Sequence, residues 1–222
     1  MPRELLRPEM LRIIQEALKT AKAYDKMARF LQYGSAYLLV AIFSGPSETN
    51  SMLAKIKNTT GSCRRILRWG KFIGVGLDIN RKPKGWKEVC QVISDSSLAL
   101  FYLVENLIYL AKVGILKLPK EQMATLTWIS DFFWLFEVLP LVPKYAALLN
   151  DCDEKTSEEK RGNITRAFFL NSFDTLVAAH DLGIKPGVTT STRHFLGTIT
   201  SLLGLYSVYK AARKAAKDKA TS

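Results

Sequence analysis

Apolar residues recur at helical spacing along almost the whole chain, and no long run alternates apolar with polar side chains as a half-buried strand does. This periodicity excludes a sheet-based fold and predicts an all-α chain. Punctuation then divides it. "SGP" at Ser44 to Pro46, the glycines Gly70, Gly74 and Gly76, the basic turn "NRKPKG" and the acidic loop "NDCDEKTSEEKRGN" all stop helices. The predicted helices are about Pro8–Phe43, with Gly34 as a point of division, then Asn50–Ile73, Trp86–Leu116, Lys120–Leu149, Arg161–Leu182 and Arg193–Lys217.

Several of these helices approach the length and apolarity of a membrane span. His194 to Tyr209, "HFLGTITSLLGLYSVY", carries no Asp, Glu, Lys or Arg but is shorter than the roughly 20 residues a bilayer core needs. Arg193 and Lys210 can snorkel at its ends, and a buried core helix fits the run as well. "SLALFYLVENLIYLAKVGIL" is interrupted by Glu105 and Asn106, and "TLTWISDFFWLFEVLPLVP" by Asp131, Glu137, Pro140 and Pro143. A charge at bilayer depth costs at least about 2.5 kcal/mol, so these helices are expected to turn their polar residues toward one another or to lie in the interface.

The charge is uneven. Residues 1–88 hold 17 Lys/Arg against 7 Asp/Glu, residues 89–209 hold 10 against 12, and residues 210–222 hold 5 against 1, within a net charge of +12. The chain therefore reads as a single 1–222 domain with a basic half, apolar helices and a basic tail, suited to anionic partners. If a membrane is involved, positive excess at both ends predicts both termini on the cytosolic side and an even number of spans. The expected pair is Leu98–Leu116 and His194–Tyr209, with the acidic loop after Asn150 on the far side.

One stretch is both basic and greasy: "GSCRRILRWGKFIGVGL", Gly61 to Leu77. On a continuous helix at about 100° per residue, Ile56, Cys63, Ile66, Leu67, Trp69, Phe72 and Ile73 share one face. Lys57, Arg64, Arg65, Arg68 and Lys71 fall on the other, with Lys55 misplaced near the edge. A lipid interface, a partner helix and a solvated bundle surface all accommodate this pattern. On the lipid reading, Lys57, Arg64, Arg65, Arg68 and Lys71 bind headgroups, each contributing about 1 kcal/mol, and Ile56, Ile66, Leu67, Trp69, Phe72 and Ile73 insert. Nucleic acid is disfavoured, because no helix-turn-helix, zinc-finger or aromatic-interleaved basic motif accompanies the cations.

Chemistry is sparse. Cys63, Cys90 and Cys152 lack C-x-x-C spacing, and His180 and His194 have no companion motif, so neither a metal nor a cofactor is expected. No nucleophile elbow, zincin or phosphate-loop motif occurs, and Asp131 with Glu137 or Asp174 with Asp181 read as polar contacts between helices. The chain does not read as an enzyme. The acid-bearing start "MPRELLRPEM" argues against a cleaved secretory signal, and the final "ATS" is not a peroxisomal address tripeptide.

Four segments in order carry a resemblance: "YDKMARFLQYGS" (Tyr24–Ser35), "SCRRILRWGKF" (Ser62–Phe72), "LFYLVENLIYLAKVGIL" (Leu100–Leu116) and "GTITSLLGLYSVY" (Gly197–Tyr209). Together they resemble the peroxin-11 family of peroxisomal membrane-elongation proteins, and the compact basic form is most similar to members from kinetoplastid glycosomes. The resemblance implies a membrane-associated helical bundle with an amphipathic interfacial helix, about 50–73, and one or two spans in the C-terminal half. It further implies leaflet insertion that elongates the organelle before dynamin-dependent fission. The partners it implies are anionic lipids, further copies of the chain, a fission adaptor and a dynamin-like GTPase. Passage of small metabolites is the alternative activity, for which carboxylates such as Glu105, Asp131 and Asp174 in apolar helices are the motivating feature. Lys217 and Lys219 stand too far from the terminus for the family's dilysine signal.

Overall fold

In the computed structural model, the described residues are 13–14, 16–43, 48–79, 82–184 and 187–221, and they contain helices and no strand. Among the described residues the bounded helices are α1 Ala21–Ala41, α2 Glu48–Leu67, α3 Lys71–Asp78, α4 Trp86–Lys112, α5 Lys120–Val138, α6 Leu141–Asn150, α7 Glu158–Asp181 and α8 Thr190–Thr221. The all-α expectation holds.

The first expected helix is divided, but not at Gly34. Residues 16–18 are helical, the chain turns at Lys19–Thr20, and Thr20 then caps α1 by accepting from the Ala23 N–H at 3.3 Å. Gly34 lies inside α1, where a single glycine weakens a helix without ending it. The start of that helix near Pro8 lies outside the described residues. The second expected helix is also divided, since α2 stops at Leu67 and α3 begins at Lys71.

The helices fall into two compact units. The first comprises Met1–Leu67 with Thr198–Ser222. Here α1 buries Ala23, Ala28, Tyr33 and Ala36 together with Asp25 and Arg29, and packs along α2. Gly61 of α2 lies close against α1, where a Cβ would come 3.1 Å from Nε2 at the movable end of Gln32. Gly204 plays the same part for α8, whose surface is crossed by the stem of Lys26. Lys219 pairs with Glu16 at 3.0 Å.

The second unit, Arg68–Gly197, is built on α4. Glu88, in the first turn of α4, accepts from the Lys84 N–H at 2.7 Å and so fixes the entry of the chain. α4 packs against α3, α5 and α6, and α7 packs against α5 and α6. Pro140 precedes α6 and Pro143 sits in its first turn, where a missing N–H is tolerated.

The interior of the second unit mixes apolar residues such as Phe101, Ile108, Leu135, Val138 and Val177 with polar ones. Ser94, Ser97, Glu105, Asn106, Ser130, Asn171 and Asp174 are interior, while Trp86, Ile93, Leu100, Leu103, Leu107, Trp128, Phe136 and Phe169 are exposed. Scattered apolar residues on a surface are ordinary, but α4 repeats them at helical spacing along its outer side. Trp86–Lys112 and Lys120–Asn150 are each long and apolar enough to cross a membrane. Only 17% of the most apolar stretch of Lys120–Asn150 is buried, against the mostly buried core helix of a water-soluble bundle. The chain is an all-α, membrane-associated protein.

The first expected span, Leu98–Leu116, largely coincides with α4. Lys120–Asn150, rather than the expected His194–Tyr209, is the second stretch long and apolar enough to cross a membrane. The run from His194 turns polar groups inward: His194, Thr200 and Ser201 are buried, and its hydroxyls lower its apolarity below that of the other two segments.

Candidate functional site

The basic, greasy stretch forms an elbow rather than one continuous helix. α2 ends at Leu67, Arg68–Gly70 form a turn, and Gly70 has φ +72° before α3 begins. No neighbouring atom would touch a Cβ at Gly70, so the left-handed backbone alone demands glycine there. The expected arc of residues 56–73 was drawn on an unbroken helix, and the turn ends its phase at Arg68.

Two of the five expected headgroup ligands face carboxylates instead. Arg64 donates from Nη1 to Oε1 of Gln32 at 2.7 Å and from Nε to Oδ1 of Asp25 at 3.4 Å, joining α2 to α1. Arg68 lies 3.7 Å from Oε2 of Glu105, with its guanidinium 5.2 Å from the ring centroid of Phe101 and 6.0 Å from that of Tyr102. Both arginine side chains retain only 11–12% of their exposure. Arg65 donates to the Gly61 carbonyl at 3.4 Å, and Lys57 and Lys71 are half-buried.

The apolar set is also sorted by the turn. Ile56, Leu67 and Phe72 are half-buried, whereas Ile66, Trp69 and Ile73 are each more than half exposed. Trp69 rests edge-on against Tyr109 of α4 with centroids 6.0 Å apart. Leu77, absent from the sequence-derived set, is the most exposed large apolar residue of α3 at 76%. Ile73 and Leu77 are four apart and share a face of α3.

Glu105 shows how a carboxylate is kept within α4. It is 7% exposed, sits opposite Arg68, and accepts from Oγ of Ser130 on α5 at 3.3 Å. Burial of an ion pair is tolerable only when remaining lone pairs are satisfied in this way. The Arg68–Glu105–Ser130 chain thus connects the elbow, the first apolar segment and the second.

Sequence reasoning missed Asp25, Gln32 and Ser130 as partners. Asp25 and Gln32 are seven residues apart, two turns along one helix face, but nothing in that pattern points to Arg64 on another helix. Among the described residues no three His, Cys, Asp or Glu side chains converge on a metal-sized site.

The sequence model of Peroxisomal biogenesis factor 11 (PEX11) matches residues 11–149, which include the elbow, α4, α5 and nearly all of α6. Among curated proteins, the chain is 28% identical to "Peroxisomal membrane protein 11E" of Arabidopsis thaliana over 95% of this chain and 96% of that protein. It is 27% identical to "Peroxisomal membrane protein 11D" of the same plant, covering 89% and 91%. A match of 23% identity to "Peroxisomal membrane protein 11 homolog" of Dictyostelium discoideum covers 59% of this chain and 52% of that protein. No solved structure matches.

Proposed function

This chain belongs to the Peroxisomal biogenesis factor 11 (PEX11) family, and on that footing we propose that it is a peroxisomal membrane protein that remodels the organelle surface by inserting the elbow into the cytosolic leaflet. Membership supports a place in peroxisome biogenesis and proliferation. In a kinetoplastid the organelle would be the glycosome.

The observation that carries the mechanism is the exposed set Trp69, Ile73 and Leu77 at the glycine turn and on α3, next to a helix apolar enough to span a bilayer. Shallow insertion of such a set enlarges one leaflet relative to the other and bends the sheet. Lys57, Arg65 and Lys71 serve the headgroups in this reading, and Arg64 and Arg68 hold the elbow in place. Anionic lipid is then the first partner. Further copies of the chain, a fission adaptor and a dynamin-like GTPase follow from the family's role.

With Trp86–Lys112 and Lys120–Asn150 as a hairpin of two spans, both ends lie on one side, and the positive excess of residues 1–88 and 210–222 assigns them to the cytosol. The acidic loop after Asn150 then shares that side. The alternative, a pore or carrier for small metabolites, drew on carboxylates within apolar helices. Engagement of Glu105 by Arg68 and Ser130 favours a structural role for it instead.

Tubulation of anionic liposomes by the full chain tests the reading. Ile73→Glu with Leu77→Glu should abolish tubules while the protein remains bound and helical, and undiminished tubulation would sink it.

A further inference from the structure

A pocket of about 460 Å3 lies in the second unit where the end of α3, the start of α4 and α6 meet, apart from the exposed set at the elbow and from Glu105. Asp78, Lys82, Lys87, Glu88, Gln91, Asp95 and Lys144 form its polar side. Ile79, Pro83 and Val92 form its apolar side. Its walls are tied together: Lys144 of α6 donates to Oε1 of Gln91 on α4, and Lys87 pairs with Asp151, the residue after α6.

Gln91 also donates from Nε2 to Oδ1 of Asp95 at 2.8 Å. Its amide therefore holds a cation and an anion a fixed distance apart on one wall, with Lys144 at one end and Asp95 at the other. Lys144 is half-buried and its ammonium carries three N–H donors. Among the described residues Gln91 is its one hydrogen-bond acceptor, and no carboxylate comes within ion-pairing distance. A partly desolvated ammonium in that state is short of an anionic oxygen.

The remaining step rests on the reading that Trp86–Lys112 and Lys120–Asn150 lie in a bilayer. The pocket then sits at the beginning of one segment and the end of the other, at headgroup depth. The apolar run of α4 begins only after Asp95, at Leu98, so the pocket lies on the headgroup side of that run.

The geometry points to a headgroup site for phosphatidylethanolamine, whose phosphodiester and primary ammonium are two carbons apart. The phosphate takes Lys144, with Lys82 adding positive field, and the ammonium takes Asp95, with Asp78 and Glu88 as further carboxylates of the lining. The glycerol end lies along Ile79, Pro83 and Val92. A primary ammonium donates hydrogen bonds to a carboxylate, whereas the quaternary ammonium of choline cannot and is recognised by aromatic faces. None of the described lining residues is aromatic.

The full chain in mild detergent, offered equal amounts of phosphatidylethanolamine, phosphatidylcholine and phosphatidylglycerol, should retain the first at least about tenfold over the other two, read by mass spectrometry of bound lipid. Lys144→Ala should lower retention of phosphatidylethanolamine by about tenfold. Asp95→Asn should keep phosphate binding and erase the preference for ethanolamine over choline. Equal retention of the lipids by the unaltered chain, or retention unmoved by both variants, overturns the site. Displacement of the lipid by an equal concentration of glycerophosphoethanolamine would overturn the lipid assignment in favour of a free phosphodiester. Alkaline carbonate extraction separates the two levels: release of the unaltered chain would overturn the membrane reading itself, and resistance without headgroup preference overturns the pocket alone.

Discussion

Arg68 approaches Glu105 to 3.7 Å across a gap of thirty-seven residues, and the pair fastens the turn after α2 to the middle of α4. Both side chains are about nine-tenths buried, so neither charge has water to fall back on. Removing one partner leaves the other charge buried without this counter-ion. Arg68→Ala is expected to destabilise the second unit by roughly 3–5 kcal/mol, whereas Arg68→Ala with Glu105→Gln should recover much of that loss. Thermal unfolding in detergent measures both, and additive effects would show that the pair is not coupled.

Gly70 and Gly74 separate backbone need from packing need. At Gly70 a side chain would have to adopt φ +72°, so Gly70→Ala should cost about 1 kcal/mol. Gly74 lies within α3 with open space about it, and Gly74→Ala should stabilise α3 by about 0.5–1 kcal/mol. Opposite signs in the unfolding midpoint would establish the turn, and equal signs would restore an unbroken helix.

The cations around the elbow should divide into two classes by salt dependence. Lys57→Ala and Lys71→Ala are each expected to weaken binding to anionic vesicles by about 1 kcal/mol, an effect that fades as salt rises. Arg64→Ala should instead loosen α1 from α2, because Asp25 and Gln32 lose their shared donor. Vesicle co-sedimentation over a salt series, paired with thermal unfolding, distinguishes a lost headgroup contact from a lost helix contact.

The first unit carries a pH-dependent tie. Hydrogen bonds from Lys19 and Lys219 hold the Glu16 carboxyl below its ordinary pKa. A carboxylate depressed in the folded state stabilises fully above its unfolded pKa, and that contribution disappears as pH falls through the folded value. Protection of the last turns of α8 in hydrogen exchange should therefore decline on acidification below the usual carboxylate range. Glu16→Gln should show the lower protection already at neutral pH and little further change.

The helical class of the chain and the position of α4 were legible because both rest on local periodicity. The turn at Arg68–Gly70 was half-legible. Three glycines in seven residues announced a stop, but Gly74 and Gly76 sit inside α3, and only Gly70 has the backbone that ends a helix. The partners of Arg64 and Arg68 were not legible, since a helical wheel places a cation opposite an apolar face without knowing what another helix brings to it. Asp25 lies thirty-nine residues from Arg64, and no pattern within one helix reports that distance. His194–Tyr209 falls short of the apolarity of the other two segments for a related reason. The absence of formal charge counted in its favour, yet Thr200 and Ser201 are fully buried and belong to a polar interior.

That polar interior changes where folding draws its free energy. A water-soluble domain of this size unfolds with a heat-capacity increase of roughly 12–15 cal/mol/K per residue, because apolar surface leaves the core and meets water. Here Leu100, Leu103, Leu107, Trp128 and Phe136 already face outward, and lipid is as apolar as anything they would pack against. Separating α4 from α5 within a bilayer exposes Ser94, Ser97, Glu105 and Ser130, while Phe101, Val104, Ile108, Leu135 and Val138 pass only from protein to lipid. The calorimetric trace in lipid should accordingly show a small heat-capacity step, with cohesion that weakens little on cooling.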